Sequence, residues 1–533
     1  MTDLLALWRT ASLPLRLAAG LVPAALLVTW VGTLVVNVQQ THLNCDIEAD
    51  ESLGTCGDLS ARDIIINNGF NQDQIIALMH ASRADGGDQS EVVALAGSLG
   101  IADEAVQTFF DILETERVPD DQLLDKFAAI AENYVSLRDR EARWTADSAQ
   151  VQTLLDQAQQ AIAEGDFDAA EQVLTEAEAS GISVVQQAAV QGYRGEISLT
   201  RLRYLEAADH FSAAARLLPP EEKDPQIDYL AQQARALHVY GYDANDATAL
   251  QNALTTYQTV VGMVDRNETP REWARVQWQI ASVLHTLGER RPNNELLAEA
   301  VATYEQVLEV YTREKAPHDW GKTQLAIGAV LSTLGARKQD RADMENAVKA
   351  YHGAAEAFDR EEAPLDWSRA KTGLGFALAV LGEREIGNER LAQAVDAFRA
   401  ALQGTTLERM PMDWAKIQTG LGYALAALGE RGTGIEQLTE AVEVFEQALE
   451  VYSRERVPLE WARIQTGLGF AFTILGERQG DGAHYQKALE AVTAARVIFV
   501  EDRGLINYRD SLDHKIDDLN NRLMQINASD LKP

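Results

Sequence analysis

A tryptophan recurs every 47 residues in the C-terminal half of the chain, and this period constrains the fold more than any other feature. The series consists of Trp273, Trp320, Trp367, Trp414 and Trp461. A proline three residues before each tryptophan and a glycine fifteen residues after it keep the same step. A fixed period of this size is typical of repeat proteins, in which each unit stacks on its neighbours. The sequence therefore predicts a solenoid rather than one globular core.

Each 47-residue unit has the pattern of two helices. Proline suits the first turn of a helix, and the acidic residue just before each tryptophan stabilises the exposed amides of that turn. The first helix is expected to stop at Leu-Gly-Glu-Arg, because glycine can adopt a left-handed cap. The second helix carries Ala441, Phe445 and Ala448 on one face. Neither helix buries its apolar face alone, so we expect neighbouring units to cover each other.

The spacing Leu421-Gly422, Ala441, Phe445 and Ala448 resembles the tetratricopeptide repeat, abbreviated TPR. That family's ordinary unit has about 34 residues, and the 13 additional residues here lengthen the inter-helix loop and the linker. The resemblance covers about residues 146–500, and the layout resembles bacterial multi-repeat proteins with tryptophan-marked units. It implies an all-α, right-handed TPR-like α-solenoid that binds a protein or peptide.

The chain divides by pattern into six segments. These are a cytoplasmic N-terminal tail (1–16), a transmembrane helix (17–37), a membrane-proximal helical region (38–145), two ordinary TPR-like units (146–222), six longer units (223–505), and a C-terminal capping helix and tail (506–533). The last helix is polar on most faces, as expected for the cap of a repeat stack.

An uncharged stretch near the N-terminus predicts a membrane anchor. Residues 17–36 contain no charged side chain, and twenty helical residues span about 30 Å, the thickness of a bilayer core. Arg9 and Arg16 precede this stretch, whereas residues 37–51 contain acids and no Lys or Arg. The positive-inside rule then places the N-terminus in the cytoplasm and the remainder outside. A cleaved signal peptide and a buried helix of a soluble protein are the alternatives.

Cys45 and Cys56 follow the predicted span. On an oxidising side of the membrane they are expected to pair, whereas two free thiols are the expectation if this loop faces the cytosol. With the topology above, the sequence predicts a single-pass protein of the bacterial inner membrane with a periplasmic C-terminal domain.

Charge and composition exclude several classes of function. The formal net charge is −34, which argues against nucleic-acid binding because phosphate recognition needs a basic surface. Two cysteines and nine histidines without an HExxH spacing provide no common metal-site motif. No Walker loop or hydrolase triad order is present, so we expect no catalysis, no cofactor and no metal. Self-association is compatible with the sequence.

A basic residue lies two positions after every tryptophan of the series, and an acidic residue lies three positions before each basic one. The basic residues are Arg275, Lys322, Arg369, Lys416 and Arg463. These pairs can be first-turn ion pairs within one helix. The TPR resemblance implies instead that the basic position faces the binding groove. It places Phe376, Tyr423 and Phe470 in the groove too, although these rings could pack against neighbouring helices.

Two functional hypotheses follow. In the first, the chain is a membrane-anchored TPR scaffold or adaptor that binds an acidic, partly apolar peptide or protein and serves envelope protein assembly or quality control. In this hypothesis Arg369, Lys416 and Arg463 supply positive charge, and Phe376, Tyr423 and Phe470 supply apolar anchors. In the second hypothesis, the chain is a cytosol-facing TPR sensor or regulator in bacterial signalling or defence.

Overall fold

The computed structural model describes residues 101–119, 122–139, 149–407 and 409–530, together with residues 75, 79, 96 and 97. Within these ranges the chain forms nineteen α-helices and no β-strand. The first ten are α1 (Asp103–Thr115), α2 (Leu123–Asp139), α3 (Ala149–Ala163), α4 (Phe167–Ala179), α5 (Val184–Thr200), α6 (Tyr204–Leu217), α7 (Lys223–Asp243), α8 (Ala247–Met263), α9 (Pro270–Arg290) and α10 (Asn294–Leu308).

The remaining helices continue the same alternation of a longer and a shorter member. They are α11 (Pro317–Lys338), α12 (Arg341–Ala357), α13 (Pro364–Arg384), α14 (Glu389–Ala401), α15 (Pro411–Arg431), α16 (Glu436–Leu449), α17 (Pro458–Gln479), α18 (Gly482–Arg496) and α19 (Arg509–Asp530). From α3 to α18 the helices alternate as first and second members of a pair. The described chain is therefore an α-helical-repeat protein.

The chain forms two compact units. Among the described residues the first unit ends at Val330 and the second begins at Leu331, so the boundary falls within α11.

Glycine pairs on the first helices set the close packing of the second unit. A Cβ atom on Gly375 would lie 2.8 Å from the ring of Phe398, and one on Gly420 would lie 2.7 Å from the same ring. Phe398 therefore occupies the space left by a glycine of its own pair and by a glycine of the next pair. Gly422 and Gly467 leave equivalent space on the two sides of Phe445. Because each ring fits only where both glycines are present, neighbouring helix pairs pack together through complementary shapes.

The first helices of the second unit are buried around their whole circumference over several turns. In α13, residues 372–382 are all buried, and in α15 residues 417–426 are all buried. A helix that is apolar on every side is an interior helix. These turns form the core of the second unit and expose little surface to a ligand.

Four of the five tryptophans of the series have an arginine over the ring. The Arg360 guanidinium lies 5.4 Å from the Trp367 ring centroid, and the Arg454 guanidinium lies 5.7 Å from that of Trp461. The same contact joins Arg266 to Trp273 at 4.4 Å in the first unit. Each arginine precedes its tryptophan by seven residues, so this cation–π contact is part of the repeat.

A second row of arginines joins one repeat to the loop of the repeat before it. Arg431 donates from Nη1 to Gly387 O and from Nη2 to Glu383 O, both at 2.9 Å. Arg478 donates to the carbonyl oxygens of Gly429, Glu430, Gly432 and Gly434. Arg290 contacts Tyr242 O and Asn245 Oδ1 in the first unit. We call these residues the clamp arginines. They satisfy carbonyls at a helix C-terminus, where a positive charge is also favoured by the helix dipole.

Helix α2 lies against first helices of the first unit. The Lys126 ammonium forms an ion pair with Asp243 at the end of α7 and donates to Tyr204 Oη at 3.2 Å. Asn133 accepts from Arg235 Nη2 at 3.0 Å. Phe127, Ala128, Ile130, Ala131, Tyr134 and Leu137 of α2 are buried. The membrane-proximal region predicted from the sequence therefore includes a helix that packs on the repeats.

Helix α19 ends the stack of the second unit. Leu512 and Leu519 are 2% and 0% exposed, whereas Met524 on another face is 67% exposed. A π-helix (Val497–Asp502) and a 3-10 turn (Ile506–Tyr508) connect α18 to α19. Tyr508 lies 47 residues after Trp461, and α19 begins at the next residue, Arg509.

The predicted membrane span (17–37) and the predicted Cys45–Cys56 pair lie outside the described residues. Among the helices that are described, none has the length and apolar character needed to cross a membrane.

Candidate partner-binding surface

The three basic residues predicted for the binding groove lie in the first turns of α13, α15 and α17. The helices begin at the prolines, so Arg369, Lys416 and Arg463 each follow their proline by five residues. The 47-residue period brings the three positions into one row in the second unit, which we call the basic row.

Both arginines of the basic row contact an acid of their own helix. Arg369 Nη1 lies 3.2 Å from Asp366 Oδ1, and Arg463 Nη1 lies 2.7 Å from Glu460 Oε1. The arginine side chains are 15% and 13% exposed. The i,i+3 ion pairs that the sequence offered as the alternative interpretation are therefore present at these two positions.

Lys416 lies between the two arginines in the row and experiences charges from both neighbouring helices. Burial is the main cause that lowers its pKa to about 8; Arg369 acts in the same direction, and Asp413 and Glu460 oppose the change. A lysine with this pKa is partly uncharged above neutral pH. An additional carboxylate beside Lys416 would favour its charged form.

Two donors of the basic row have no acceptor among the described residues. Arg369 Nη2 and Arg463 Nε are both buried and make no hydrogen bond. A buried donor without a partner costs about 1–3 kcal/mol. An acceptor oxygen supplied by another molecule would recover this free energy, provided that it can approach the row.

The three aromatic residues predicted as anchors differ in accessibility. Phe376 is 1% exposed and packs edge-on against Phe398, with ring centroids 4.8 Å apart. Tyr423 is 8% exposed and donates its hydroxyl to Arg463 O at 2.6 Å. Phe470 is half-buried, and Lys515 Nζ of α19 lies 5.1 Å from its ring centroid. Phe376 and Tyr423 occupy core positions, and either ring would have to leave its packing to contact a ligand.

The charge environment at the other end of the first helices was not predicted from the sequence. Burial raises the pKa of Glu383, in the Leu-Gly-Glu-Arg segment of α13, to about 8, although Arg431 lowers it. Burial lowers the pKa of Lys515 to about 8, although Glu430 raises it. The clamp arginines lie at this end as well. All of these residues except Lys515 keep the 47-residue period, so the signal was present, but a period does not reveal which groups meet across a repeat boundary.

Within the described residues, no group of three or more His, Cys, Asp or Glu side chains is arranged to hold a metal ion. The buried pair of His285 and Glu289, with Nε2 and Oε1 3.3 Å apart, belongs to a single helix.

Comparison with known proteins gives the following result. No protein-family model matches the chain, and no curated protein matches it. Among solved structures, it is similar to the TPR2AB domain of yeast Sti1 in complex with pHSP90, with 19% identity over 62% of this chain and 98% of that chain and a TM-score of 0.20. It is also similar to a Rap protein complexed with competence and sporulation factor, with 13% identity over 82% of this chain and 99% of that chain and a TM-score of 0.28.

Proposed function

We propose that the chain is a membrane-anchored helical-repeat scaffold that binds a protein or peptide partner and performs no chemistry. The observation that carries this proposal is the basic row, where three consecutive repeats present Arg369, Lys416 and Arg463 in the same register. Two of these side chains have a buried donor without an acceptor, and burial lowers the pKa of the third. A row of cations in which both arginines have a buried donor without an acceptor suits an acidic segment of a partner.

The acidic character of the whole chain sharpens this proposal. A net charge of −34 repels acidic partners at long range. Binding of an acidic segment must therefore depend on the basic row at short range. Phe470 is half-buried, with Lys515 of α19 over its ring, whereas Phe376 and Tyr423 are buried. Of the three predicted anchors, Phe470 is therefore the one whose contact with a ligand requires the least change in the core.

Proximity labelling from the C-terminus in cells first identifies the partner of the wild-type protein. The affinity for this partner is then compared between the full-length chain and two triple variants. The test variant replaces Arg369, Lys416 and Arg463 by alanine. The control variant replaces the exposed Lys349, Arg384 and Arg399 of the same unit by alanine. It therefore also removes three basic side chains.

We expect the test variant to lose about 1–3 kcal/mol of partner affinity in purified form, because bonds to partly desolvated charges are lost. The control variant should retain its affinity. Equal partner affinity of the wild type, the test variant and the control variant would contradict the proposal. If the wild-type chain labels no partner protein in cells, the proposed scaffold function is wrong.

The cellular location is part of the same proposal. We place the N-terminus in the cytoplasm of a bacterial cell, residues 17–37 in the inner membrane and the repeats in the periplasm, where a role in envelope protein assembly or quality control fits. A C-terminal alkaline phosphatase fusion is expected to be active and a C-terminal fluorescent protein dark. The reverse result would favour the cytosol-facing sensor or regulator.

A further inference from the structure

A cleft lies between the last inter-helix loop and the capping helix, at the place where earlier repeats hold a clamp arginine. Its volume is about 480 Å3. It is lined by Gly476, Glu477, Gly480, Tyr485, Asp518, Asn521, Arg522, Gln525 and Ile526. The cleft therefore combines the C-terminal turn of α17 with one side of α19.

The repeat register identifies what differs here. Each clamp arginine is the last residue of a Leu-Gly-Glu-Arg or related segment, and the residue 47 positions after Arg478 is Gln525. Gly429 and Glu430, whose carbonyls accept from Arg478, correspond to Gly476 and Glu477 in the last repeat. The last loop thus retains the acceptor positions, but α19 supplies an amide in place of the guanidinium.

The last turn resembles the first clamped turn in backbone conformation. Gly480 has φ +65°, and Asp481 then caps α18 by accepting from Ala483 N. In the loop clamped by Arg290, Asn245 has φ +54° and Asp246 caps α8. The carbonyl of Tyr242, which accepts from Arg290, corresponds to that of Glu477. Because the turn at Tyr242 binds the guanidinium of Arg290, we expect the similar turn at Glu477 to be able to bind a guanidinium too.

Arg522 does not replace the clamp. Its guanidinium forms ion pairs with Glu477 and with Asp518, the latter at 2.7 Å from Nε, and lies 5.7 Å from the Tyr485 ring centroid. In the described part of the chain, no side chain donates to the backbone carbonyls of residues 477–481. The described side chains that line the cleft include Glu477 and Asp518, which share the single guanidinium of Arg522, so one negative charge is left without a full counter-charge.

We propose that this cleft binds the guanidinium group of an arginine side chain presented by a partner protein, in the way the preceding loops bind the clamp arginines of the chain itself. The inference rests on the proposed function, since it concerns the same partner, but it assigns a second contact. An acidic protein with one arginine-specific pocket would orient a partner that carries an arginine at a defined distance from its acidic segment. Five N–H donors in a planar fork match a set of convergent carbonyls better than a lysine does.

The test uses the full-length chain in detergent and a dye-labelled Gly-Arg-Gly peptide, with Gly-citrulline-Gly as the uncharged isostere. Fluorescence anisotropy should show about a tenfold preference for arginine, the scale of one added charge-assisted interaction. Equal binding of the two peptides would overturn the proposal.

Two variants separate the pocket from general charge. Gln525→Arg supplies the missing guanidinium from α19 itself and should abolish the arginine preference while raising the melting temperature. Met524→Arg adds the same charge at a side chain that is 67% exposed and should leave the preference in place. Loss of the preference in both variants, or in neither, would overturn the proposal.

A third variant tests whether the loop bound by Arg478 and the last loop are equivalent. Arg478→Gln gives the preceding loop the same residue as position 525 and should create a second arginine-binding cleft, which doubles the stoichiometry of the peptide. Unchanged stoichiometry would contradict the equivalence of the two loops. If partner labelling persists in every variant while the peptide does not bind, the arginine pocket is refuted and the scaffold function is retained.

Discussion

The two compact units illustrate two kinds of contact between helices. In the second unit, Phe398 and Phe445 each fit between two glycines of consecutive repeats, so this contact recurs along the stack. In the first unit, α2 packs on the repeats through contacts made once, such as Lys126 to Asp243 across 117 residues of sequence. Recurring contacts are visible in a sequence as a period, whereas single contacts leave no such trace.

The largest effect is expected from breaking the recurring contact. Phe398→Ala removes a ring that is 0% exposed, and truncation of a buried phenylalanine costs about 3–5 kcal/mol. Hydrogen exchange should quicken in residues 364–431 and remain unchanged in the first unit, because contacts in a repeat stack are local. Ile386→Ala, at a side chain that is 99% exposed, is the control. Uniform destabilisation of both units would contradict local coupling.

A smaller effect is expected from breaking the single contact. Lys126→Met leaves Asp243 without its ion pair and Tyr204 without its donor, which should cost about 1.5–3 kcal/mol. Exchange protection should fall in α2 and in the end of α7. Lys223→Met, at an exposed lysine of the first unit, should have little effect.

The pH dependence of stability tests whether the Lys126 ion pair stabilises the folded state. Burial alone lowers the pKa of Lys126, but Tyr204 and Asp243 raise it by more, so the net pKa is above the ordinary value of 10.5. The folded state then retains the proton more strongly than the unfolded state. The stabilisation is complete below pH 10.5 and is lost as the pH rises through the folded pKa. If wild type and Lys126→Met lose stability equally above that pH, the ion pair is not the cause.

The repeat helices could be predicted from the sequence because they depend on residues with a fixed spacing. The tryptophans, prolines and aromatic positions predicted the helix pairs. In the structure, helices begin at Pro364, Pro411 and Pro458. The position of α2 could not be predicted, since its contacts with Asp243 and Arg235 join residues without any common pattern.

The accessibility of the candidate site was harder to predict than its position. Phe376 and Tyr423 lie where the TPR resemblance places groove residues, but Gly420 allows Phe376 to approach within a distance that any side chain would forbid. The resulting close approach of α13 and α15 buries the rings. The clamp arginines were visible as part of Leu-Gly-Glu-Arg but were interpreted only as a helix stop, because their acceptors belong to another repeat.

The most direct test of the central claim, that the basic row binds an acidic partner, is the pH dependence of affinity for the captured partner. Burial lowers the pKa of Lys416 to about 8 in the protein alone, and a bound carboxylate would raise it again. Binding then requires proton uptake above pH 8, so we expect affinity to fall about tenfold between pH 7.5 and 9.5. Lys416→Arg keeps its charge throughout this range and should show a flatter profile. Identical profiles for wild type and Lys416→Arg would contradict the claim that the basic row contacts the partner.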